Sequence, residues 1–95
     1  MKEIIQRRQS LRIDYREQRS GIEDALKNFS DEVTYEFCNL QTGDYWIEDK
    51  IIIERKTLSD FLNSIKTGRI FQQAYRMANS GKNNLLILEG DKSEV

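Results

Sequence analysis

Apolar and polar residues alternate over two short stretches of the chain, 11–15 and 33–37, and each alternation predicts a β-strand. The three isoleucines at 51–53 and the run at 85–88 are continuously apolar, which is typical of buried strands. We expect residues 45–47 and 51–54 to form a hairpin, and residues 85–88 to form a central strand.

Three other stretches carry apolar residues at the three- and four-residue spacing of an amphipathic helix. Thr57 is placed to cap the second helix, with Asp60 three residues later, and Gly68 and Gly81 follow the second and third helices. The stretches are residues 22–29, 58–65 and 70–78. The predicted order is strand, helix, three strands, two helices and a strand, an α/β fold with a mixed sheet flanked by helices.

Composition bounds the class of protein. The 95 residues predict one domain over 1–95, with residues 1–10 as an N-terminal extension and about 60–70% of the unfolded surface buried. The absence of histidine excludes Ser-His and Cys-His catalysis and histidine-ligated zinc. The single cysteine, Cys38, excludes an intrachain disulfide, and we find no signal-peptide pattern or membrane-spanning run. We therefore expect an intracellular protein, in a prokaryotic cytoplasm or a nucleus, with no membrane partner.

The net charge of −1 gives no support for nucleic-acid binding, but the charges are unevenly distributed. Residues 1–19 carry +3 and residues 51–82 carry +4, whereas residues 20–50 carry −6. Two basic segments next to an acidic one suit a phosphate-facing surface beside a metal-binding acid cluster. Solvated faces give the same pattern, so both interpretations stay open.

Charged residues follow the isoleucine run directly, at the end of a predicted core strand. Glu54 and Lys56 share one face of that strand, Arg55 points to the other, and Asp44 precedes Glu54 by ten residues. Two carboxylates can hold Mg²⁺ or Mn²⁺, and an ammonium can position a water or offset negative charge. This set suits phosphodiester hydrolysis. The same triplet is common on solvated surfaces, but ionised groups near a core need partners or a metal.

The register of the predicted hairpin decides whether the two acids can meet. A two-residue turn at 48–49 makes Asp44 face away from Glu54, whereas a three-residue loop at 48–50 places the two opposite each other. Cross-strand partners lie about 4.5–5.5 Å apart at Cα, close enough for two carboxylates to share a cation. The metal site therefore requires the longer loop or a bulge.

The chain resembles the nuclease domain of XPF-type structure-specific endonucleases, the XPF/Hef family within the PD-(D/E)XK class. The resemblance covers about residues 11–90 and implies a restriction-endonuclease-like fold. The residues that carry it are Asp14-Tyr15-Arg16-Glu17, Ser20, Gly43-Asp44, Glu54-Arg55-Lys56, Asp60, Ser64-Ile65, Gly68-Arg69, Ile70-Phe71 and Gln72.

The resemblance implies a role for each residue of the site. Asp44 and Glu54 are the metal ligands, the backbone carbonyl of Arg55 is a third, and Lys56 orients or deprotonates the attacking water. Asp14 is a further ligand, direct or through water, with an ion pair to Arg16 as the alternative.

Other residues are predicted to lie around this centre. Arg55, Asp60 and Arg16 are supporting residues, although helix capping alone explains Asp60, and Arg55 is expected to hold Asp60 or a neighbouring carboxylate. Arg69 and Gln72 are candidates for DNA contacts. We interpret three charged residues as solvated helix charges: Lys66, Arg76 and Lys82. We interpret Tyr45 and Trp46 as core or groove-wall residues, with base stacking as a minor alternative.

The expected function is a Mg²⁺- or Mn²⁺-dependent DNA endonuclease acting on branched or flap-like DNA. The alternative is a non-catalytic DNA-binding or scaffold subunit of the same fold. The Ile70-Phe71 pair and Tyr75 make the apolar stripe of the third helix wider than one buried face requires, which predicts a homodimer or a heterodimer with a related subunit. We find no helix-hairpin-helix module, so we expect a minimal nuclease or part of a larger protein.

Overall fold

The computed structural model describes residues 8–90. The order of elements is the predicted one, with two 3₁₀ turns added, and the first helix ends at Leu26 and continues as a 3₁₀ turn. The strands are β1 Gln9–Asp14, β2 Val33–Cys38, β3 Tyr45–Ile47, β4 Ile51–Thr57 and β5 Asn83–Glu89, and the helices are α1 Ile22–Leu26, α2 Leu58–Thr67 and α3 Arg69–Ala78. The 3₁₀ turns are Tyr15–Glu17 and Lys27–Phe29. Residues 1–7 of the predicted N-terminal extension lie outside the described residues. The last two residues of that extension, Gln9 and Ser10, belong to β1.

The five strands form one mixed sheet in the order β2-β1-β3-β4-β5. β1 and β2 are parallel, β3 is antiparallel to both of its neighbours, and β5 is parallel to β4. The predicted α/β class is confirmed. The central position predicted for β5 is wrong: the strand lies at the sheet edge, and Leu85 to Leu88 are 41–48% exposed. A continuous apolar run favours burial of a strand, but it determines neither how many strands pair with it nor what covers its faces.

The β3–β4 hairpin has the longer of the two loops considered. Tyr45 pairs with Ile53 and Ile47 pairs with Ile51, which leaves Glu48 to Lys50 as a three-residue loop. Glu48 and Asp49 have φ angles of 52° and 54°, in the left-handed region that closes such a loop. The predicted metal site required this longer loop, and the structure has it.

Gly43, immediately before the first site acid, is explained by a close approach of two strands. Its φ is 80°, and a Cβ at this position would lie 2.4 Å from Cγ2 of Ile52. Any other residue would push this segment away from β4. The glycine therefore allows Asp44 to lie directly against β4.

The buried core is small and centred on β1, β3 and β4. Ile13 and Ile52 are fully buried, and Leu40 and Tyr45 are nearly so. The helices cover the sheet less completely than their apolar faces predicted, because Ile65 is 49% exposed. Within residues 8–90, no helix is long and apolar enough to cross a bilayer.

Candidate active site

Asp44 is held rigidly at the start of β3. Its backbone N–H donates to the carbonyl of Ile53 (2.8 Å), and its Oδ2 accepts a hydrogen bond from the backbone N–H of Arg55 (2.7 Å). The residue is only 8% exposed. Its second oxygen, Oδ1, lies 3.7 Å from Nη2 of Arg16. One carboxylate oxygen thus fixes the side chain to β4, and the other faces the site.

Glu54 presents a second, half-buried carboxylate on β4. Within residues 8–90 it accepts no hydrogen bond and forms no salt bridge, unlike Asp44. Burial raises the pKa of Glu54, and the charge of Asp44 raises it further, against lowering by Lys56, Arg16 and Arg76. Burial also raises the pKa of Asp44, which the Arg55 N–H partly offsets. The charge of Asp44 disfavours the ionised form of Glu54, so a cation between the two carboxylates would stabilise the pair.

Asp14 takes the alternative role named for it. Its Oδ1 accepts from the backbone N–H (2.9 Å) and Nε (2.7 Å) of Arg16, and its Oδ2 accepts from the N–H of Leu40 (2.9 Å). Burial alone would raise the pKa of Asp14, but these hydrogen bonds lower it overall. No group of three acidic or other metal-binding side chains assembles within residues 8–90. The ion pair with Arg16 is therefore present, and a role of Asp14 as a metal ligand, direct or through water, stays a prediction.

Arg16 lies at the edge of the acid pair. Its guanidinium is held by Asp14, and the pKa of Arg16 is raised chiefly by that hydrogen bond, with smaller contributions from Asp44 and Glu54. The side chain is 69% exposed, so it is oriented but accessible. A guanidinium held in this way beside two carboxylates can contact a phosphate oxygen.

Arg55 points away from Glu54, as strand alternation predicts. Its Nη1 donates to Oε1 of Glu17 (2.8 Å), which also accepts from the Tyr45 hydroxyl (2.8 Å), and its Nε donates to Glu89. These carboxylates, Glu89 first, raise the pKa of Arg55. The arginine thus joins β4, β5 and the first 3₁₀ turn. The predicted hold on a neighbouring carboxylate is met by Glu17 and Glu89, and Asp60 is not a partner.

Lys56 follows on β4, two residues after Glu54 and therefore on its face. Its charge lowers the pKa of Glu54, which indicates that the two side chains are near each other. Its ammonium makes no hydrogen bond and no salt bridge with any residue in 8–90. The lysine is therefore available to a substrate or a water.

The remaining predicted residues lie farther from the acids. Thr57 Oγ1 accepts from the N–H of Asp60 (3.1 Å), so the predicted cap is confirmed, while the side chain of Asp60 is exposed. Arg69 donates to Oγ1 of Thr67 (3.3 Å), and Gln72 is exposed. Neither Arg69 nor Gln72 lines the cavity beside Glu54, so their DNA contacts remain predictions.

Two residues that the sequence analysis did not select for the site border the acids instead. A cavity of about 260 Å³ beside Glu54 is lined by Arg16, Gln41, Thr42, Gly43, Gln73, Arg76 and Met77. Gln73 and Arg76 extend into it from α3. Polar residues follow one another at spacings of four, three and four in the order Arg69, Gln73, Arg76, Ser80. The sequence therefore already contained a polar stripe opposite the apolar stripe of α3.

The fold and these residues define an α/β domain of the restriction-endonuclease-like class, with an acid pair and a lysine on adjacent strands of a mixed sheet. Residues 13–95 match the ERCC4 domain family. The chain belongs to this family, and its relatives identify an XPF-type nuclease domain.

Relatives and solved structures agree on this assignment. The 3'-flap repair endonuclease Xpf of Saccharolobus solfataricus is 35% identical over 86% of this chain and 34% of its own length. XPF from Aeropyrum pernix has 39% identity and a TM-score of 0.76, over 86% of this chain and 38% of the solved chain. The same protein in complex with DNA gives a TM-score of 0.77 over 88% of this chain and 41% of that one. The chain thus spans between a third and two fifths of the length of these proteins.

Proposed function

We propose that this chain is the catalytic part of a metal-dependent DNA endonuclease. The observation that carries the proposal is the pair of half-buried or buried carboxylates, Asp44 and Glu54, beside the unpaired ammonium of Lys56. The alternative of a non-catalytic subunit predicts that these residues have been lost, and all three are present. The names of the relatives, repair endonucleases, point in the same direction.

The acid pair fits a divalent cation. Asp44 would supply Oδ1, Glu54 its carboxylate, and the carbonyl of Arg55 remains the predicted third ligand, all oxygens of the kind that Mg²⁺ and Mn²⁺ prefer. A bound cation would offset the burial that raises both pKa values and the charge of Asp44 that further raises the pKa of Glu54. It would also polarise the scissile phosphate.

The other side chains of the site have separable tasks. Lys56 orients the attacking water and offsets negative charge, because its ammonium shares the face of Glu54 and makes no hydrogen bond or salt bridge within residues 8–90. Arg16 and Arg76 offset charge that develops on the phosphate, since both border the cavity beside Glu54. Asp14 acts as a positioning residue that orients Arg16. Arg55 with Glu17 keeps β4 in place.

DNA is the proposed substrate, with branched or flap-like DNA as the preferred form. Support comes from the Saccharolobus relative, named a 3'-flap repair endonuclease, and from the Aeropyrum XPF solved with DNA. An intracellular location follows from this function and stays a prediction.

We also propose assembly as a homodimer or with a related subunit. Phe71 and Tyr75, one turn apart on α3, are 74% and 72% exposed. The four consecutive apolar residues of β5, Leu85 to Leu88, are exposed as well. Exposed apolar surface of this extent on a small domain is typical of a partner contact.

The function is tested with Mg²⁺ or Mn²⁺ and a panel of flap, fork, Holliday and single-stranded DNAs. We expect cleavage of the branched forms by the native chain and none by Glu54→Gln. Lys66→Ala, an exposed α2 charge, is the matched control and should cleave normally. Failure of the native chain to cleave any substrate, while still binding DNA, would favour the non-catalytic alternative.

A further inference from the structure

A second, larger cavity adjoins the acid site on the same side of the sheet. Its volume is about 520 Å³, within the range of small-molecule sites. It shares Gln41, Thr42 and Arg76 with the cavity beside Glu54, so the two form one continuous groove. The proposed catalytic residues leave this second cavity without a role.

The sheet places an aromatic side chain in this groove. Cross-strand pairing aligns Arg12 with Trp46 and Trp46 with Ile52, and Glu54 follows two residues after Ile52 on the same face. Trp46 is partly exposed, and its indole Nε1 donates to the carbonyl of Thr42 (2.7 Å), which orients the ring. An oriented, partly exposed indole thus lies on the face that carries Glu54.

Three cationic side chains line the same cavity as the ring, and two of them form no salt bridge within residues 8–90. Lys82 Nζ lies 4.6 Å from the centre of the Trp46 ring, and Arg76 forms no ion pair with any residue in 8–90. Arg12, by contrast, is bound to Glu36 (3.4 Å) and Asp49 (3.2 Å). The groove therefore offers an aromatic surface next to positive charges, with Arg76 at the junction between the two cavities.

The groove also carries side-chain amides. Asn39, Gln41 and Asn79 line it together with Ser80. Amides can donate to and accept from the edges of a nucleobase. An aromatic ring, amides and cations in one groove match the chemistry of an unpaired nucleotide, whose base has free faces and edges and whose phosphate is anionic. Duplex bases have their faces covered by neighbours and cannot use the ring in this way.

We propose that this groove binds unpaired nucleotides of the DNA strand next to the scissile phosphate. The base stacks on Trp46 in the position now held by the Lys82 ammonium, and the ammonium moves to the phosphate. Arg76 holds the phosphate at the junction with the acid site. This inference rests on the proposed nuclease function and adds that the groove selects DNA with a single-stranded segment at the cleavage point.

The chain contains one tryptophan, so its intrinsic fluorescence reports on this groove alone. The probe is an oligothymidylate of about 12 nucleotides, added with EDTA so that no cleavage occurs. A blunt duplex of equal length is the comparison. We expect the oligothymidylate to quench Trp46 saturably and protect it from acrylamide, and the duplex to do neither.

Variants separate stacking from general electrostatics. By anisotropy of a labelled oligothymidylate, Lys82→Ala and Trp46→Ala should weaken binding by about 5–50-fold, whereas Trp46→Phe, which keeps an aromatic face, should weaken it less. Lys66→Ala removes an equal charge outside the groove and should leave binding within about twofold. Thermal unfolding of each variant identifies any that fail to fold. If Trp46→Ala does not fold, Trp46→Phe still tests the proposal.

The inference is overturned if the oligothymidylate saturates the protein without altering the emission or acrylamide access of Trp46. Equal quenching by the duplex, or no oligothymidylate binding, would overturn it as well. These outcomes are distinct from failure of the nuclease proposal. Cleavage of branched DNA without a change in Trp46 fluorescence would refute only the proposed groove. Quenching of Trp46 without cleavage would refute only the proposed catalytic function.

Discussion

Removing the charge of Glu54 should change the stability of the protein in opposite directions with and without metal. Glu54→Gln is a cleaner perturbation than a change at Asp44, because Asp44 also accepts a structural hydrogen bond from Arg55. Within residues 8–90 the Glu54 carboxylate accepts no hydrogen bond. The substitution therefore removes charge and leaves the hydrogen bonds of the fold intact.

Without metal, the variant should be more stable than the native chain at neutral pH. Burial and the charge of Asp44 raise the pKa of Glu54 in the folded state, so ionised Glu54 destabilises the fold. A neutral glutamine of the same shape removes this repulsion. The melting temperature in EDTA should rise.

With metal, the order of the two proteins should reverse. A ligand at ten times its Kd stabilises the folded state by about 1.4 kcal/mol, which raises the melting temperature of a domain this small by about 6–11 °C. A tenfold loss of affinity in Glu54→Gln reduces the same term to about 0.4 kcal/mol, or about 2–3 °C. Titration with Mn²⁺ therefore separates two proteins that are otherwise alike.

The assay is thermal unfolding by circular dichroism, in EDTA and across a Mn²⁺ series. Asp31→Asn is the matched control, since this exposed acid makes no side-chain contact with residues 8–90 and lies far along the chain from the pair. It should show the native response to Mn²⁺. Equal Mn²⁺ stabilisation of the native chain and Glu54→Gln would refute the assignment of Glu54 as a ligand.

Four further outcomes follow from the structure. Lys56→Ala should lower the cleavage rate by about 10²–10⁴-fold with unchanged Mn²⁺ stabilisation, and native turnover would assign the lysine to the surface. Asp14→Ala should lower the free energy of unfolding in urea by about 2–3 kcal/mol, because the Leu40 N–H loses its acceptor, and an unshifted midpoint would contradict this. Without metal, the destabilisation by Glu54 is absent below its ordinary pKa of 4.5 and grows as pH rises through the raised folded-state value. The melting temperature of Glu54→Gln in EDTA should therefore exceed that of the native chain by more at about pH 7 than at about pH 4. A difference that does not change with pH would contradict destabilisation by ionised Glu54. Phe71→Ser should shift any dimer to monomer in sedimentation equilibrium, and an unchanged mass would move the interface elsewhere.

Much of the site could be predicted because it lies on contiguous, strongly patterned sequence. The isoleucine run identified β4, alternation placed Glu54 and Lys56 on one face, and the hairpin argument required the three-residue loop that the structure has. These inferences depend on local geometry alone, which the sequence encodes directly.

The sequence was less informative where the outcome depends on distant partners. The hydrogen bond from the backbone N–H of Leu40 to Asp14, 26 residues away, could not be predicted from local pattern. Arg76 is exposed, as predicted for a solvated helix charge, but the helix pattern did not reveal that it borders the cavity beside Glu54. The central position predicted for β5 was wrong for the same reason, since pairing is a tertiary property.

The distribution of burial explains how the site can be rigid in a domain with little core. Ile13, Tyr45 and Ile52, among the most buried apolar side chains in 8–90, lie on β1, β3 and β4, the strands that also carry or adjoin Asp44 and Glu54. The exposed apolar residues lie instead on β5 and on the outer face of α3. A partner or further polypeptide can cover these outer surfaces without moving the strands that hold the acids. The geometry of the acid pair is therefore set by the inner strands, while the proposed assembly depends on outer surfaces that can vary around them.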